Sequence, residues 1–306
     1  MRQISAGHYH ACGLAEDGRA TCWGAGLSNA PSGQFIAIDS GTDQTCGLRD
    51  NGSAVCWGPI AGYWGDSEYS KGVLTEISAG SYVCGLRDDQ AIYCFPQHFG
   101  PSVPPEIEKF LNVETAGYHV CGLKENGSLV CWGWSHYEYD GPALDDRHFI
   151  DFTLGAFQAQ AIVCGLLKTR HAICWHNADG GEDYSPVTFL PEDQQYSAIS
   201  ASDEHVCAIL LDQSLICAPG APFDPSPAPA EGQFMDVSVG DGFACALNLD
   251  GSPVCWGNPG YGRTSPPGGE RFKSISSGRT HACGLREDGT VACWGWNDLG
   301  QTKPPE

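Results

Sequence analysis

Sixteen cysteines fall into eight pairs, and in every pair the two residues stand ten positions apart: Cys12 and Cys22, Cys46 and Cys56, Cys84 and Cys94, Cys121 and Cys131, Cys164 and Cys174, Cys207 and Cys217, Cys245 and Cys255, Cys283 and Cys293. None is left over. Paired cysteines serve two chemistries. A zinc site wants Cys-x-x-Cys or a mixed Cys/His cluster, and the chain has no Cys-x-x-Cys. An even set at one fixed spacing reads as a disulfide framework, with each pair above bridged to its own partner. Closing each ten-residue loop contributes roughly 3 kcal/mol in the chain-entropy model. Such a framework belongs in an oxidising compartment: extracellular, periplasmic or cell-surface. No metal and no cofactor is expected.

His10, His119, His205 and His281 each stand two residues before a cysteine. At one repeat position they could ring a channel and hold an anion or a metal. The other reading is a set of buried imidazoles satisfied by backbone hydrogen bonds. Gln44, Tyr82, Ile162 and Phe243 take the same place elsewhere, which breaks any symmetric ligand ring. Trp23, Trp57, Trp132, Trp175, Trp256 and Trp294 follow the second cysteine and read as core, as do the recurring leucines such as Leu14 and Leu285. Catalysis finds little support. There is no Gly-x-Ser-x-Gly, no His-Glu-x-x-His and no phosphate loop. A glycosidase carboxylate pair cannot be picked out. No enzyme is expected.

The elements that position these residues follow from the cysteine spacing. Between Cys12 and Cys22 short strands flank Glu16-Asp17-Gly18, and Asn51-Gly52, Asn126-Gly127, Asp250-Gly251 and Asp288-Gly289 repeat the turn chemistry. A three-residue loop with a left-handed glycine places Cys12 opposite Cys22 in a non-hydrogen-bonded pair, where Cα atoms approach to about 4.5 Å. A two-residue turn would put Cys12 opposite Trp23. Three units lack the glycine and read Asp88-Asp89-Gln90, Lys168-Thr169-Arg170 and Asp212-Gln213-Ser214. They predict the same hairpin under more strain. A further short strand precedes each hairpin, as in Phe110–Val113 or Phe234–Val237. The stretch Pro104–Leu111 suits a single helical turn.

Eight such units in 306 residues predict an all-β protein: one β-propeller of eight blades, or seven with a shared unit, each of three to four short antiparallel strands. The repeats run at about 1–34, 35–72, 73–109, 110–148, 149–195, 196–233, 234–271 and 272–306, read as a single domain over 1–306. The last unit should sit beside the first, since neither end carries the polar cap of an open solenoid.

The pattern Gly-x-x-His-x-Cys-Gly-Leu…Asp-Gly…Cys-Trp-Gly-x-Asn-x-x-Gly-Gln, fullest from Gly278 to Gln301, resembles the repeat of the regulator of chromosome condensation superfamily. The cysteine-paired form is similar to bacterial secreted members, to crinkly-type receptor kinase ectodomains and to the propeller-type β-lactamase inhibitory protein. The resemblance implies a propeller that binds other macromolecules.

Lys and Arg total 16 against 37 Asp and Glu, a formal net charge of −21. Nucleic acid is excluded as a generic partner, because phosphate binding needs cations. No apolar run is long enough for a transmembrane helix, so no membrane insertion is expected. No secretory leader opens the chain, which fits a mature form or an excised ectodomain. Binding is then expected in the variable loops after Cys-Trp-Gly. Tyr63, Trp64, Asp66 and Tyr69 mark the first, with Glu68. Trp134, His136, Tyr137, Tyr139 and Asp140 mark the second, and Tyr184 the third. Aromatics mixed with carboxylates suit a protein partner, a basic one by charge, in an adhesion or inhibitor-like role. They equally suit a glycan stacked on Trp64 and Trp134, as in a lectin; glycan hydrolysis is the weaker alternative. The Pro-rich stretch 218–232 reads as a stiff surface excursion. Asn51-Gly52-Ser53 and Asn126-Gly127-Ser128 match glycosylation acceptors but are needed for the turns themselves.

Overall fold

The structure, a computed structural model, describes residues 1–25, 30–58, 68–69, 72–95, 108–133, 139–140, 148–157, 160–178, 186–187, 190–202, 205–218 and 228–305. Eight antiparallel sheets follow one another along these residues, five of three strands and three of four. Blade 1 is Gln3–Ala6, His10–Leu14 and Ala20–Gly24. The first, inner strands of blades 2 to 8 are Ala37–Ser40, Leu74–Ala79, Phe110–Ala116, Phe149–Phe157, Tyr196–Ala201, Phe234–Gly240 and Ser274–Ser277. A two-residue fourth strand completes blades 2, 4 and 5 at Glu68–Tyr69, Tyr139–Asp140 and Pro186–Val187. The eight-bladed reading holds. The helical turn expected over Pro104–Leu111 does not fit its last residues, because Phe110 and Leu111 begin an inner strand; residues 104–107 lie outside the described set.

The hairpin geometry follows the cysteine spacing. Cys12 pairs with Cys22 across the second and third strands, Leu14 with Ala20 and Gly13 with Thr21. All eight cysteine pairs are bridged, with Cα atoms 4.0–4.1 Å apart. Ala15 N donates to Arg19 O at 2.9 Å and closes the three-residue loop. Gly18 has φ +82°. Gln90, Arg170 and Gln213 take the glycine's place at φ +70°, +69° and +72°, so those hairpins keep the turn with a strained side-chain-bearing residue. In blade 6 the loop triplet is Leu211-Asp212-Gln213, one residue earlier than Asp212-Gln213-Ser214, because Leu210 N already pairs with Ser214 O.

The tips also tie blade to blade. The carbonyl of each left-handed tip residue accepts a hydrogen bond from the N–H that opens the next inner strand. Phe35 N to Gly18 O and Tyr196 N to Arg170 O, both 2.7 Å, are examples. Met1 N to Gly289 O completes the circuit between blades 8 and 1. Trp23 Nε1 donating to Gln301 O at 2.9 Å and Ala6 N donating to Ser276 Oγ at 3.0 Å tie the same joint, so the ring is closed.

The core lies between blades. Each cluster sets one blade's disulfide against the next blade's aromatics: Cys12, Leu14 and Cys22 meet Phe35, Ile38 and Trp57, and Cys121, Leu123 and Cys131 meet Phe149 and Trp175. Trp57 Nε1 lies 3.3 Å from Cys22 Sγ. The six tryptophans are buried, as expected of core. The Cys-Gly-Leu glycine has a packing cause: a Cβ on Gly47 would lie 2.5 Å from the Phe35 ring, and one on Gly284 2.5 Å from Phe272.

Candidate functional site

The inner strands converge on an axial cavity of about 240 Å³. Its wall carries Gly7, Gly41, Gly80, Gly117, Gly155, Gly240 and Gly278, with Ser202 in blade 6. Backbone meets backbone there: a Cβ on Gly7 would strike Gly41 O, and one on Gly278 would strike Gly7 O. A second circuit of side-chain acceptors runs around the axis. Ser5 Oγ accepts from Ser40 N at 2.9 Å, Asp39 Oδ2 from Ala79 N at 2.7 Å, Ser78 Oγ from Thr115 N at 2.9 Å and Glu114 Oε2 from Leu154 N at 2.9 Å.

These acceptors explain the carboxyls gathered there. Burial pushes Glu114 up to about 8 against the single N–H it accepts, and Asp151, Asp39 and Glu76 add repulsion. Burial also raises Asp39 and Glu76. Perturbed carboxyls that line a cavity are the mark of acid/base sites, but none of these three lines the axial cavity. Here Asp39 and Glu114 are held by the next blade's backbone, and their role is structural. The histidines do not ring the cavity as ligands. His10, His119, His205 and His281 are buried. His10 meets Thr45 Oγ1 at 2.9 Å and the backbone of Gln44. Burial pushes His10 down to about 3 and His281 to about 4, so both stay neutral. No group of three or more metal-ligating side chains gathers among the described residues.

The two faces of the ring differ. One carries the hairpin tips and the entries to the inner strands. Of nine exposed large apolar side chains among the described residues, seven lie there: Ile36, Val73, Leu111, Ile150 and Met235 at the entries, Leu211 and Leu249 on the tips. Leu111, Ile150 and Met235 sit where the inner strand slips register against its neighbour, and a bulge turns its extra residue off the packed surface. The tip carboxylates Asp17, Asp212, Asp250 and Asp288 stand among them, each accepting from the N–H two residues on.

The opposite face carries the turns between the first two strands. Beside the axial mouth, between blades 7, 8 and 1, lies a pocket of about 420 Å³ lined by Tyr9, Asp241, Asn258, Tyr261, Arg263, Arg279, Thr280 and Trp296. Trp296 stands edge-on to Tyr9 with centroids 5.7 Å apart, and Tyr261 is 6.3 Å away on its other flank. Arg279 Nε donates to Asp241 Oδ2 at 3.1 Å and its Nη1 to the Tyr9 hydroxyl at 2.9 Å. Arg263 donates to Asp241 O at 2.7 Å and Gly260 O at 3.1 Å, over the Phe243 ring.

Residues 1–30 and 272–301 match the model of the regulator of chromosome condensation (RCC1) repeat. The first and last blades are thus similar to RCC1 repeats. The whole ring is similar to the CRINKLY WD40 ectodomain of the Arabidopsis thaliana receptor kinase ACR4: 23% identity, TM-score 0.64, covering 99% of this chain and 97% of that one. The ectodomain of the Physcomitrella patens receptor kinase CR4 superposes at TM-score 0.62 with 20% identity, over 95% and 72% of the two chains. Prp20p of Saccharomyces cerevisiae does so at 0.58 with 14% identity, over 89% and 75%. At these identities the likeness is one of fold. No curated protein matches by sequence.

The loops singled out from the sequence lie outside the described residues. This holds for Tyr63, Trp64, Asp66, Trp134, His136, Tyr137 and Tyr184. Tyr69, Tyr139 and Asp140 are placed by backbone alone, in the fourth strands of blades 2 and 4. Sequence reasoning missed the pocket between blades 7, 8 and 1. Tyr9 and Thr280 share one position, three residues before a cysteine; Arg279 and Asp241 share another, four before it. Those columns alone do not single the pocket out, since Tyr118 repeats Tyr9 in blade 4 and Asp203 repeats Asp241 in blade 6.

Proposed function

We propose that the chain is a non-catalytic recognition module of the extracellular, periplasmic or cell-surface space, and that its hairpin-tip face docks a protein. The observation that carries this is the gathering, on one face, of seven of the nine exposed large apolar side chains among the described residues. Scattered single apolar residues are ordinary; a set repeated around one face of a ring of RCC1-type blades suits a docking surface. The bridges and the two inter-blade circuits make that face rigid, so little ordering entropy opposes binding. The net charge of −21 selects a basic partner and steers it. The yeast propeller Prp20p binds Gsp1p and histones, which supports recognition of proteins by this architecture.

The test places a photo-crosslinking residue at Met235 or Leu111, with Asp43, in the turn between the first two strands of blade 2 and so on the opposite face, as control. Surface and secreted proteins of the source cell are the targets. The proposal expects saturable crosslinks to a defined basic protein at the first two positions, weakening as salt rises. Equal labelling at all three positions, or labelling indifferent to salt, overturns it. Glycan binding is a second reading, and the aromatic pocket on the opposite face favours it.

A further inference from the structure

We infer that the pocket between blades 7, 8 and 1 binds a carboxylate-bearing sugar, its ring against Trp296 and Tyr261 and its carboxylate toward Arg279 and Arg263. This site is separate from the hairpin-tip face, and either can fail without the other. Four observations carry it.

The first is size. About 420 Å³ lies within the range of pockets that enclose a small ligand. The second is strain. Four described residues other than glycine have positive φ. Gln90, Arg170 and Gln213 occupy the hairpin turn that glycine fills elsewhere. The fourth is Tyr261, at φ +61°, ψ +15° and 69% exposed. Burial of the ring does not offset that conformation. Strain of this kind is kept where something else needs the side chain, and an exposed aromatic beside a pocket points to a ligand.

The third is charge. In a chain with 37 acidic residues against 16 basic, the pocket sets two guanidinium groups against the single carboxylate of Asp241. Arg263 is buried, 8% exposed, and its two hydrogen bonds go to carbonyl oxygens, which leave its charge in place. Aromatic walls alone would suit a quaternary ammonium group or a methylated lysine. Two guanidinium groups at the floor repel such a cation and attract an anion, and a guanidinium fork matches a carboxylate in geometry. The fourth is the donor set. Thr280 Oγ1 is buried without a hydrogen-bond partner, and Asn258 and the Tyr9 hydroxyl line the same wall. Flat apolar faces with ring hydroxyls at their edges meet stacked aromatics and scattered hydroxyl and amide groups together. That is the chemistry of a sugar rather than of a plain carboxylate.

The test titrates the oxidised protein with glucuronate- and sialate-terminated oligosaccharides, with the same sugars after reduction of the carboxyl to the alcohol, and with an acidic peptide. Tyr261→Gly and Trp296→Ala are run beside the wild type. Glycine relieves the left-handed conformation, so Tyr261→Gly removes a wall without weakening the fold, and a thermal melt verifies it. The expected result is saturable binding of at least one carboxylated sugar, at least about tenfold tighter than its reduced form. Tyr261→Gly should lose about tenfold or more of that affinity at an unchanged or higher melting temperature. Binding of the reduced sugars equal to that of the acidic ones overturns the charge argument and the proposal with it. So does preference for the acidic peptide, silence toward every sugar, or undiminished binding by folded Tyr261→Gly.

Discussion

Glu114→Gln should leave the protein nearly unchanged at acid pH and stabilise it progressively as the pH rises. Glu114 lies on the inner strand of blade 4, and its Oε2 accepts from Leu154 N of blade 5 at 2.9 Å. Glutamine keeps an acceptor in that place and deletes the charge. Burial is the main reason the carboxyl titrates at about 8 rather than 4.5. The native state therefore holds this proton more tightly than the unfolded chain does. Below the unfolded pKa both states carry it and nothing is lost. Between 4.5 and about 8 the unfolded chain ionises first, so stability falls as the pH rises through that window. At 1.36 kcal/mol per unit, the span from about 4.5 to about 7 sets a ceiling of roughly 3 kcal/mol on the gain from Gln at neutral pH. Three histidines act in the opposite sense. Burial first of all lowers His8 to about 4, His10 to about 3 and His281 to about 4, each from 6.5. They subtract stability as the pH falls from 6.5 toward those values. The wild-type profile is thus a sum of opposing slopes, and the difference between wild type and variant isolates Glu114. Urea unfolding with disulfides intact, at pH about 5 and about 8, measures it. An equal difference at both pH values, or a variant less stable at the higher one, would refute the reasoning.

Arg170 is exposed and left-handed at φ +69°, so Arg170→Gly should stabilise by a few tenths to about 1 kcal/mol, read as a raised urea midpoint. Gly47→Ala should cost about 1–3 kcal/mol, because its methyl would meet the Phe35 ring at 2.5 Å; an unchanged thermal midpoint would show that the ring gives way. Replacing Cys12 and Cys22 together by Ala should cost about 3 kcal/mol from loop closure alone. It also removes the Cys22 sulfur 3.3 Å from Trp57 Nε1, so calorimetry on the variant should show a loss somewhat larger than the loop term.

The blade was legible because its information is local. A ten-residue separation and a pleat of period two leave one turn type that brings the cysteines together, and Gly18 sits where that turn needs it. The slip in blade 6 arose where no glycine marks the tip. The cause of Cys-Gly-Leu was not legible. The Phe35 ring that forbids a side chain on Gly47 comes from the segment leading into the preceding strand, twelve positions earlier. Nor were the axial acids. Asp39 looks like a surface carboxylate until its neighbour is known to be Ala79 N, forty residues on. The pocket joins Tyr9 to Arg279 across 270 positions, a contact that exists only once the ring closes. The aromatic-rich loops carry the louder sequence signal, whereas the described pocket is built largely at ordinary repeat positions, with one strained tyrosine.

Closure also decides how the molecule should come apart. In an open stack of repeats each unit leans on its neighbours alone, so weakening an end interface frees the end to unfold first. In a ring no interface is terminal. We take residues 1–306 as one domain on that ground. Trp23 stands at the joint of blades 8 and 1, packed with Ala11 and Cys283 and bonded to Gln301 O. Trp132 stands at the joint of blades 3 and 4, packed with Cys84, Cys94 and Phe110. Both are buried. Trp23→Ala and Trp132→Ala should each cost about 3–5 kcal/mol, and each should lower one common transition, with calorimetric and van't Hoff enthalpies in agreement. A separate early transition in Trp23→Ala but not in Trp132→Ala would mean that the joint of blades 8 and 1 is a loose end, and the pocket that spans it would then open before the rest of the ring.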